Sequence, residues 1–500
     1  MRQKLEVLQP LCSPQIIVRK DSVDVGRSGQ CDCACASTAP SSPMPSAKTS
    51  LVERYQIPSP IVAGLNGNYW AIHLPHLQPG PAALNHIALT LTRHFDKPRL
   101  FDSIPTIWRQ AWGEETIQDA LEQMVTLGLL MPEGCTAPVL TETSISLTAW
   151  LHVANACNLR CSYCYLDPTP AEMSPQVGQQ AVEAVFRSAL AHDFPAVKLK
   201  YAGGEPTLRF PLVVDLHRHA TDLAEQHGLE LDSVVLSNGV ALTTQVIEVM
   251  QSLGLRLAVS LDGLGPYHDC QRHFADGRGS FEAVARTIDR ALSAGLIPDI
   301  SITISGRNAS GLPKLMTWVM ERDLPFSLNF YRENDQSASQ TDLRLEEKRI
   351  IEGMLAAYKV IEEKMPERCL LASLADRANL ATPHLRTCSV GHSYLVIDHR
   401  GRVAKCQMDI SNTVTTIHDP DPLARVRESS DGIRNLSVED KAECRDCQWR
   451  YWCAGGCPLQ AYRATGRYDA KSPHCAIYRA LYPEVIRLEG LRLLKYADAP

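Results

Sequence analysis

Cys157-Asn158-Leu159-Arg160-Cys161-Ser162-Tyr163-Cys164 puts three thiols into eight residues, directly after the apolar run Ile145 to Val153. Three cysteines this close are too many for core packing, and too tightly spaced to pair readily with one another. The pattern asks for a metal site, either zinc or an iron–sulfur cluster. Three ligands rather than four is the informative count. A cubane held by three thiolates keeps one iron open for a substrate or cofactor, whereas a fully ligated site is structural.

Composition narrows the alternatives. With 500 residues, 45% of them hydrophobic, the chain has length for roughly three folded domains. A formal net charge of −6 and the lack of any Lys/Arg-dense stretch argue against a nucleic-acid protein held by phosphate contacts. No run approaches about 18 uninterrupted apolar residues, and the N-terminus, with Lys4, Glu6, Arg19, Lys20 and Asp21, lacks the apolar core of a signal peptide. The expectation is a cytoplasmic protein with no membrane partner. In that reducing compartment the seventeen cysteines read as candidate ligands rather than disulfide partners. They gather at 157–164 and again from Cys388 to Cys475, while Cys12, Cys135 and Cys270 stand alone as ordinary small residues.

Residues 1–55 contain Cys31-Asp32-Cys33-Ala34-Cys35 and then Ala36 to Ser50, rich in Ser, Pro, Ala and Thr without periodicity. This reads as a disordered segment. Alternate cysteines in such a segment preorganise a metal poorly, so the role of Cys31, Cys33 and Cys35 stays open. In 56–140 a plausible strand at Asn68 to Leu74 precedes helical periodicity through Ala83 to Phe95 and Ile117 to Leu130. That order predicts a small winged-helix-like module, the alternative being an N-terminal cap on the next domain.

From 141 to 340 strand and helix signals alternate. Strands are expected at Ile145–Val153, Ala196–Tyr201, Ser233–Leu236, Arg256–Leu261, Asp299–Ile304 and Phe326–Tyr331. Helices are expected at Gln176–His192, Leu212–Gln226, Thr244–Leu253, Phe281–Ala294 and Leu312–Glu321. Six such units in series predict an α/β fold, a partial (β/α)6 TIM-like barrel with its functional groups at the C-terminal strand ends. The three thiols follow the first strand. Ala202-Gly203-Gly204-Glu205-Pro206-Thr207 follows the second, Ser237-Asn238-Gly239 the third and Ser260-Leu261-Asp262-Gly263 the fourth. Glycine lets a backbone approach a ligand closely, and Ser, Asn and Asp can hydrogen-bond a ribose. Turns use the same residues, but four successive strand ends of this kind are hard to read as turns alone.

With these residues in place the chain resembles the radical S-adenosylmethionine enzymes. Their CxxxCxxC signature, with an aromatic residue before the last cysteine, is met by Cys157, Cys161, Tyr163 and Cys164. The resemblance implies a [4Fe–4S] cluster on those three cysteines that binds S-adenosylmethionine. It also implies that Gly203, Gly204, Glu205 and Pro206 lie at the methionine ammonium, and Ser237, Asn238, Ser260 and Asp262 on the ribose side. In that family the cofactor supplies the radical chemistry while the protein places it and excludes water. A structural zinc site is the competing reading. The family also implies a flavodoxin- or ferredoxin-type reductant.

Seven thiols in 386–480 exceed what one zinc needs. Cys444, Cys447, Cys453 and Cys475 suffice for one cubane, leaving Cys388, Cys406 and Cys457 for a second, with Cys369 as candidate fourth ligand. The pattern Cys-x(9–15)-Gly-x4-Cys, Cys-x2-Cys-x5-Cys-x3-Cys, then Cys resembles the SPASM extension of radical SAM enzymes, which implies two auxiliary [4Fe–4S] clusters. A zinc ribbon is the alternative. Residues 341–385 read as a helical linker and 481–500 as a C-terminal helix and tail. The module at 56–140 is similar in pattern and position to the PqqD-like element, which captures the leader of a precursor peptide by β-addition. Together these resemblances imply a maturase of a ribosomally made peptide that forms an intramolecular C–C or C–S crosslink. Sulfatase-maturing and quinoprotein-maturing enzymes are alternatives in the same class. The former carry an aspartate where this chain has Gln407, with Asp409 two residues on. An iron–sulfur electron carrier would leave the Gly203–Pro206 segment unexplained, and a non-catalytic peptide-binding scaffold has no use for an open iron.

Overall fold

The computed structural model describes residues 13–19, 53–74, 80–135, 140, 144–376 and 378–497. Cys12, Cys31, Cys33 and Cys35 lie outside them. The described residues form two compact units: those up to 140 together with those from 483 on, and those from 144 to 482.

In the first unit, β1 (Ile16–Ile17), β3 (Ile61–Gly64), β4 (Tyr69–His73) and β5 (Ala82–Asn85) make an antiparallel sheet in the order β1-β5-β4-β3. The short β2 (Tyr55–Gln56) pairs with β6 (Met131–Pro132). Helices α1 (His86–His94), α2 (Thr106–Trp112) and α3 (Glu114–Thr126) follow the sheet. The first helix starts three residues later than its periodicity suggests. Ala82 to Asn85 are held in the ladder with β4, and the Asn85 side chain accepts the Ala88 N–H at 2.9 Å as an N-cap. A core including Leu84, Leu91, Leu121, Met124 and Leu130 holds the unit together. At the sheet's edge β3 alternates half-buried and exposed residues.

The second unit is built on a parallel array. Strands β7 (Leu147–Ala154), β8 (Ala196–Gly203), β9 (Glu230–Ser237), β10 (Arg256–Ser260), β11 (Asp299–Ile304) and β12 (Phe326–Phe330) pair in sequence order, each parallel to the next. Between and after them run α4 (Pro175–Ala191), α5 (Phe210–His227), α6 (Thr244–Ser252), α7 (Pro266–Asp269), α8 (Phe281–Ser293), α9 (Leu312–Glu321) and α10 (Glu347–Glu363). Such strands are covered on both faces, which is why β7 reads as one apolar run and is buried at every position except Trp150. Ser174 caps α4 ahead of Pro175, a residue whose fixed φ suits the first helical position.

The sheet does not stop at these six strands. β13 (Tyr394–Ile397) lies parallel beside β7, and β14 (Arg402–Ala404) and β15 (Thr413–Thr416) extend it antiparallel, making nine strands in all. The cysteine-rich region is thus continuous with the parallel array through hydrogen bonding. Among the described residues, no helix is long and apolar enough to cross a membrane.

Candidate functional site

The Cys157–Cys164 loop leaves the end of β7 and is fastened on several sides. Backbone N–H groups of Arg160 and Ser162 donate to the carbonyls of His273 and Gln271, both at 2.8 Å. The Asn334 and Gln340 side-chain amides donate to the carbonyls of Tyr163 and Ser162 at 3.0 and 2.9 Å. The three cysteines are half-buried and their thiols sense one another electrostatically. Burial pushes the Cys161 thiol up to about 12, and raises those of Cys157 and Cys164. A metal must therefore displace protons as it binds. Among the described residues no three His, Cys, Asp or Glu side chains converge on one ion-sized point.

The second strand end is locked to the first. Gly204 and Glu205 donate their N–H groups to the carbonyls of Ala154 and Ala156 at 2.7 and 2.9 Å. A Cβ on Gly203, which has φ of +142°, would lie 2.1 Å from the Ala154 oxygen, and one on Gly204 2.3 Å from the Ala156 oxygen. These glycines allow two strand ends to meet just before Cys157. Pro206 is buried and opens the short helical turn Pro206–Arg209. Glu205 has no exposed surface and faces inward. Its carboxylate accepts the Ser237 hydroxyl at 2.9 Å, the Asn238 N–H at 2.7 Å and the Thr207 N–H at 3.1 Å, while burial raises its pKa. Asn238 reaches back to the loop, donating to Asn158 Oδ1 at 2.7 Å and to Cys157 Sγ at 3.8 Å.

Asp262 is likewise wholly buried. Its Oδ1 accepts the Thr303 N–H at 2.8 Å, and its Oδ2 accepts the Tyr163 hydroxyl at 2.7 Å, with the Arg272 guanidinium 4.0 Å away. Arg272 also donates to the Tyr163 hydroxyl. The aspartate read from the sequence as a cofactor contact is thus occupied in bracing the aromatic residue between Cys161 and Cys164.

A cavity of about 290 Å³ lies over these strand ends, lined by Cys161, Tyr163, Cys164, Gly203, Ser237, Asn238 and Ser260. Cys157, Gly204, Glu205, Pro206 and Asp262 are not among its lining residues. Further lining comes from Arg272, Thr303 of β11, Asn329 of β12, Arg332 after it, and Gln407 and Met408 from the cysteine-rich region. Thr303 and Asn329 follow the same strand-end rule that found the others. Gln407 stands where sulfatase-maturing enzymes carry an aspartate, but nothing in the sequence signals Trp150, whose buried indole N–H has no partner. Asp409 is not among the lining residues.

The second cysteine group divides as its spacing suggests. Cys444, Cys447, Cys453 and Cys475 line one small cavity of about 30 Å³, walled by Trp449, Tyr478 and Tyr482. Cys388, Cys406 and Cys457 pack in a separate cluster around Tyr394 and Val396 of β13. Cys369 is buried but is not part of that cluster. Cys135 and Cys270 are exposed. Phe330 on the first cavity's wall stacks on Tyr478, which stacks on Tyr482, at centroid distances of 5.6 and 5.8 Å. Asp376 anchors this stack. It pairs with Arg332 at 2.9 Å and accepts the Tyr478 hydroxyl at 2.8 Å.

Comparison with known proteins agrees with this geometry. Residues 151–319 match the Radical SAM superfamily. An AdoMet-dependent heme synthase of Nitratidesulfovibrio vulgaris is 24% identical over 359 residues, 66% of this chain and 92% of the synthase. An uncharacterized protein of Archaeoglobus fulgidus is 22% identical, over 67% of this chain and 79% of its own. In fold, the chain is similar to native anSMEcpe with bound AdoMet and Cp18Cys peptide, with a TM-score of 0.55, 18% identity, and coverage of 71% of this chain and 99% of that one. The chain carries a radical SAM domain, the catalytic part of an enzyme.

Proposed function

We propose that this protein is a radical SAM maturase. It modifies a ribosomally made peptide, forming an intramolecular C–C or C–S crosslink. The observation that carries the reading is the shared cavity, where strand-end groups beside Cys161 and Cys164 meet Gln407 and Met408 of the cysteine-rich region. A substrate held there touches both halves of the machinery. The radical SAM match and the donor chemistry of three thiols fit a [4Fe–4S] cluster on Cys157, Cys161 and Cys164. When bound, that cluster and S-adenosylmethionine supply a radical able to remove hydrogen from an unactivated carbon.

The chain's own residues do the placing. Glu205 fixes Ser237 and Asn238, Asp262 and Arg272 fix Tyr163, and Trp150, Ser260 and Asn329 offer polar groups on the cavity wall. Crosslinking by hydrogen abstraction leaves one electron to remove, and the C-terminal thiol groups would hold two auxiliary [4Fe–4S] clusters, which would supply an acceptor for it. The Phe330–Tyr478–Tyr482 stack joins the cavity wall to the Cys444 group. A peptide substrate is supported by β3, which ends its sheet among the described residues and so suits strand addition as in a PqqD-like module. The similarly folded anSMEcpe was also solved with a peptide bound. The relative named as a heme synthase makes a heme precursor the second substrate class to test.

Anaerobic reconstitution with iron and sulfide, followed by assay of 5′-deoxyadenosine, tests the reading. Cys157→Ala is expected to abolish cofactor cleavage, whereas Cys453→Ala should keep uncoupled cleavage and lose the modified product. Equal loss in both variants would contradict the division of labour.

A further inference from the structure

Lys441 is only 1% exposed, its ammonium enclosed within the cysteine-rich region. Taking such a charge out of water is strongly unfavourable unless anions surround it. Its Nζ donates to the carbonyl oxygen of Ala454 at 2.7 Å, a neutral acceptor. Burial lowers its pKa, and the groups that would hold it charged once they are deprotonated are thiols: Cys444 and Cys453 from one group, Cys388 and Cys457 from the other.

The backbone is shaped around that position. Ala454, Gly455 and Gly456 have φ of +45°, +81° and +73°, and the first of these is a strained conformation for alanine. A Cβ on Gly455 would lie 2.9 Å from Lys441 Nζ and 3.4 Å from Cys444 Sγ, so the ammonium and that thiol approach across a glycine that leaves the space open. Thr387, just before Cys388, places its hydroxyl 3.0 Å from the Ala454 carbonyl and 2.8 Å from that of Gly456. One loop therefore ties the lysine tip to both groups of cysteines.

We infer that Lys441 is a positioning residue shared by the two C-terminal thiol groups, its buried ammonium a fixed counter-charge set between them. The inference rests on the reading that both groups hold iron–sulfur clusters. Thiolate-bound clusters are anionic and become more so on reduction. A cation held in a low dielectric beside them then stabilises the loaded state and favours uptake of an electron. The lysine couples the two groups, because either one becoming more negative strengthens its hold on the same ammonium.

The test uses the full chain with Cys157, Cys161 and Cys164 changed to Ala, so that only C-terminal clusters contribute. This background is compared with versions that also carry Lys441→Met or Lys441→Arg. After anaerobic reconstitution, iron per chain is counted and midpoint potentials are read by redox titration followed by electron paramagnetic resonance. Lys441→Met is expected to shift the C-terminal potentials to more negative values or to lose iron, and Lys441→Arg to restore both. Full iron with unchanged potentials in Lys441→Met would overturn the inference. Equal failure of the Arg variant, in iron or in folding, would overturn it too, because shape rather than charge would then be what the site needs. No iron in the background with Lys441 intact would overturn the cluster reading itself.

Discussion

His268 has no exposed surface and makes two hydrogen bonds behind the cavity. Its Nδ1 accepts the Asp262 N–H at 3.2 Å, and its Nε2 lies 3.0 Å from the Ser280 hydroxyl, which itself donates to the Arg272 carbonyl at 2.7 Å. The ring is therefore neutral, with its proton on Nε2. Burial, and then the Arg272 guanidinium, lower its pKa from 6.5 to about 3. Between those values the unfolded chain carries a proton on this ring and the folded chain does not. Stability from this group is complete above pH 6.5 and declines as pH falls, by up to about 1.4 kcal/mol per pH unit. His268→Gln, with no titrating ring, should flatten the decline of the urea midpoint between pH 7 and pH 5 relative to wild type. Parallel profiles would show that the ring does not govern this window. Asp262 sits one hydrogen bond away. Asp262→Ala strands the Arg272 guanidinium, whose side chain is 9% exposed, and should cost about 3–5 kcal/mol in chemical denaturation. Tyr163→Phe removes only the bridging hydroxyl and should cost about 1–2 kcal/mol. A neutral Asp262→Ala would mean that the aspartate is no brace.

At the scale of elements, the parallel strands and their helices were legible because each is a separate run with its own period. The observed limits of β8 to β12 and of α4, α5, α6, α8 and α9 lie within a few residues of those read from sequence, while the four-residue α7 was not read. What could not be read is pairing between distant elements. β13 joins β7 through Tyr394 opposite Thr148 and Ile397 opposite Leu151, partners some 246 residues apart, and a four-residue apolar run carries no signal of its neighbour. Leu395 on β13 is fully buried, so Leu395→Ala should destabilise the parallel unit by about 2–5 kcal/mol. A loss below about 0.5 kcal/mol, typical of a surface position, would show that the added strand is peripheral. The inward turn of Glu205 and Asp262 was equally hidden, because a strand-end carboxylate reads alike whether it faces a ligand or a neighbouring strand.

For the whole molecule, the cysteine spacing points to three groups of thiols, while Lys441 and Arg272 emerged only where loops far apart in the chain converge. The three thiol groups predict how the molecule should respond to metal. Clusters on all three require about twelve irons per chain, against about four if only Cys157, Cys161 and Cys164 bind. Metal binds a preformed site in the folded state and little of the unfolded one, so loading adds its binding free energy to folding. Burial holds the Cys161 and Cys453 thiols high, at about 12 and about 11, so the folded protein without iron keeps them protonated, and loading must release protons. Reconstituted protein should therefore melt well above the metal-free form, and the gap should narrow as pH falls and protons compete for the thiolates. Changing Cys444, Cys447, Cys453 and Cys475 to Ala should remove about four irons and part of the gap, leaving the cofactor-cleaving site loaded. An unchanged iron count in that variant would show that those four thiols, gathered on one cavity, are not ligands.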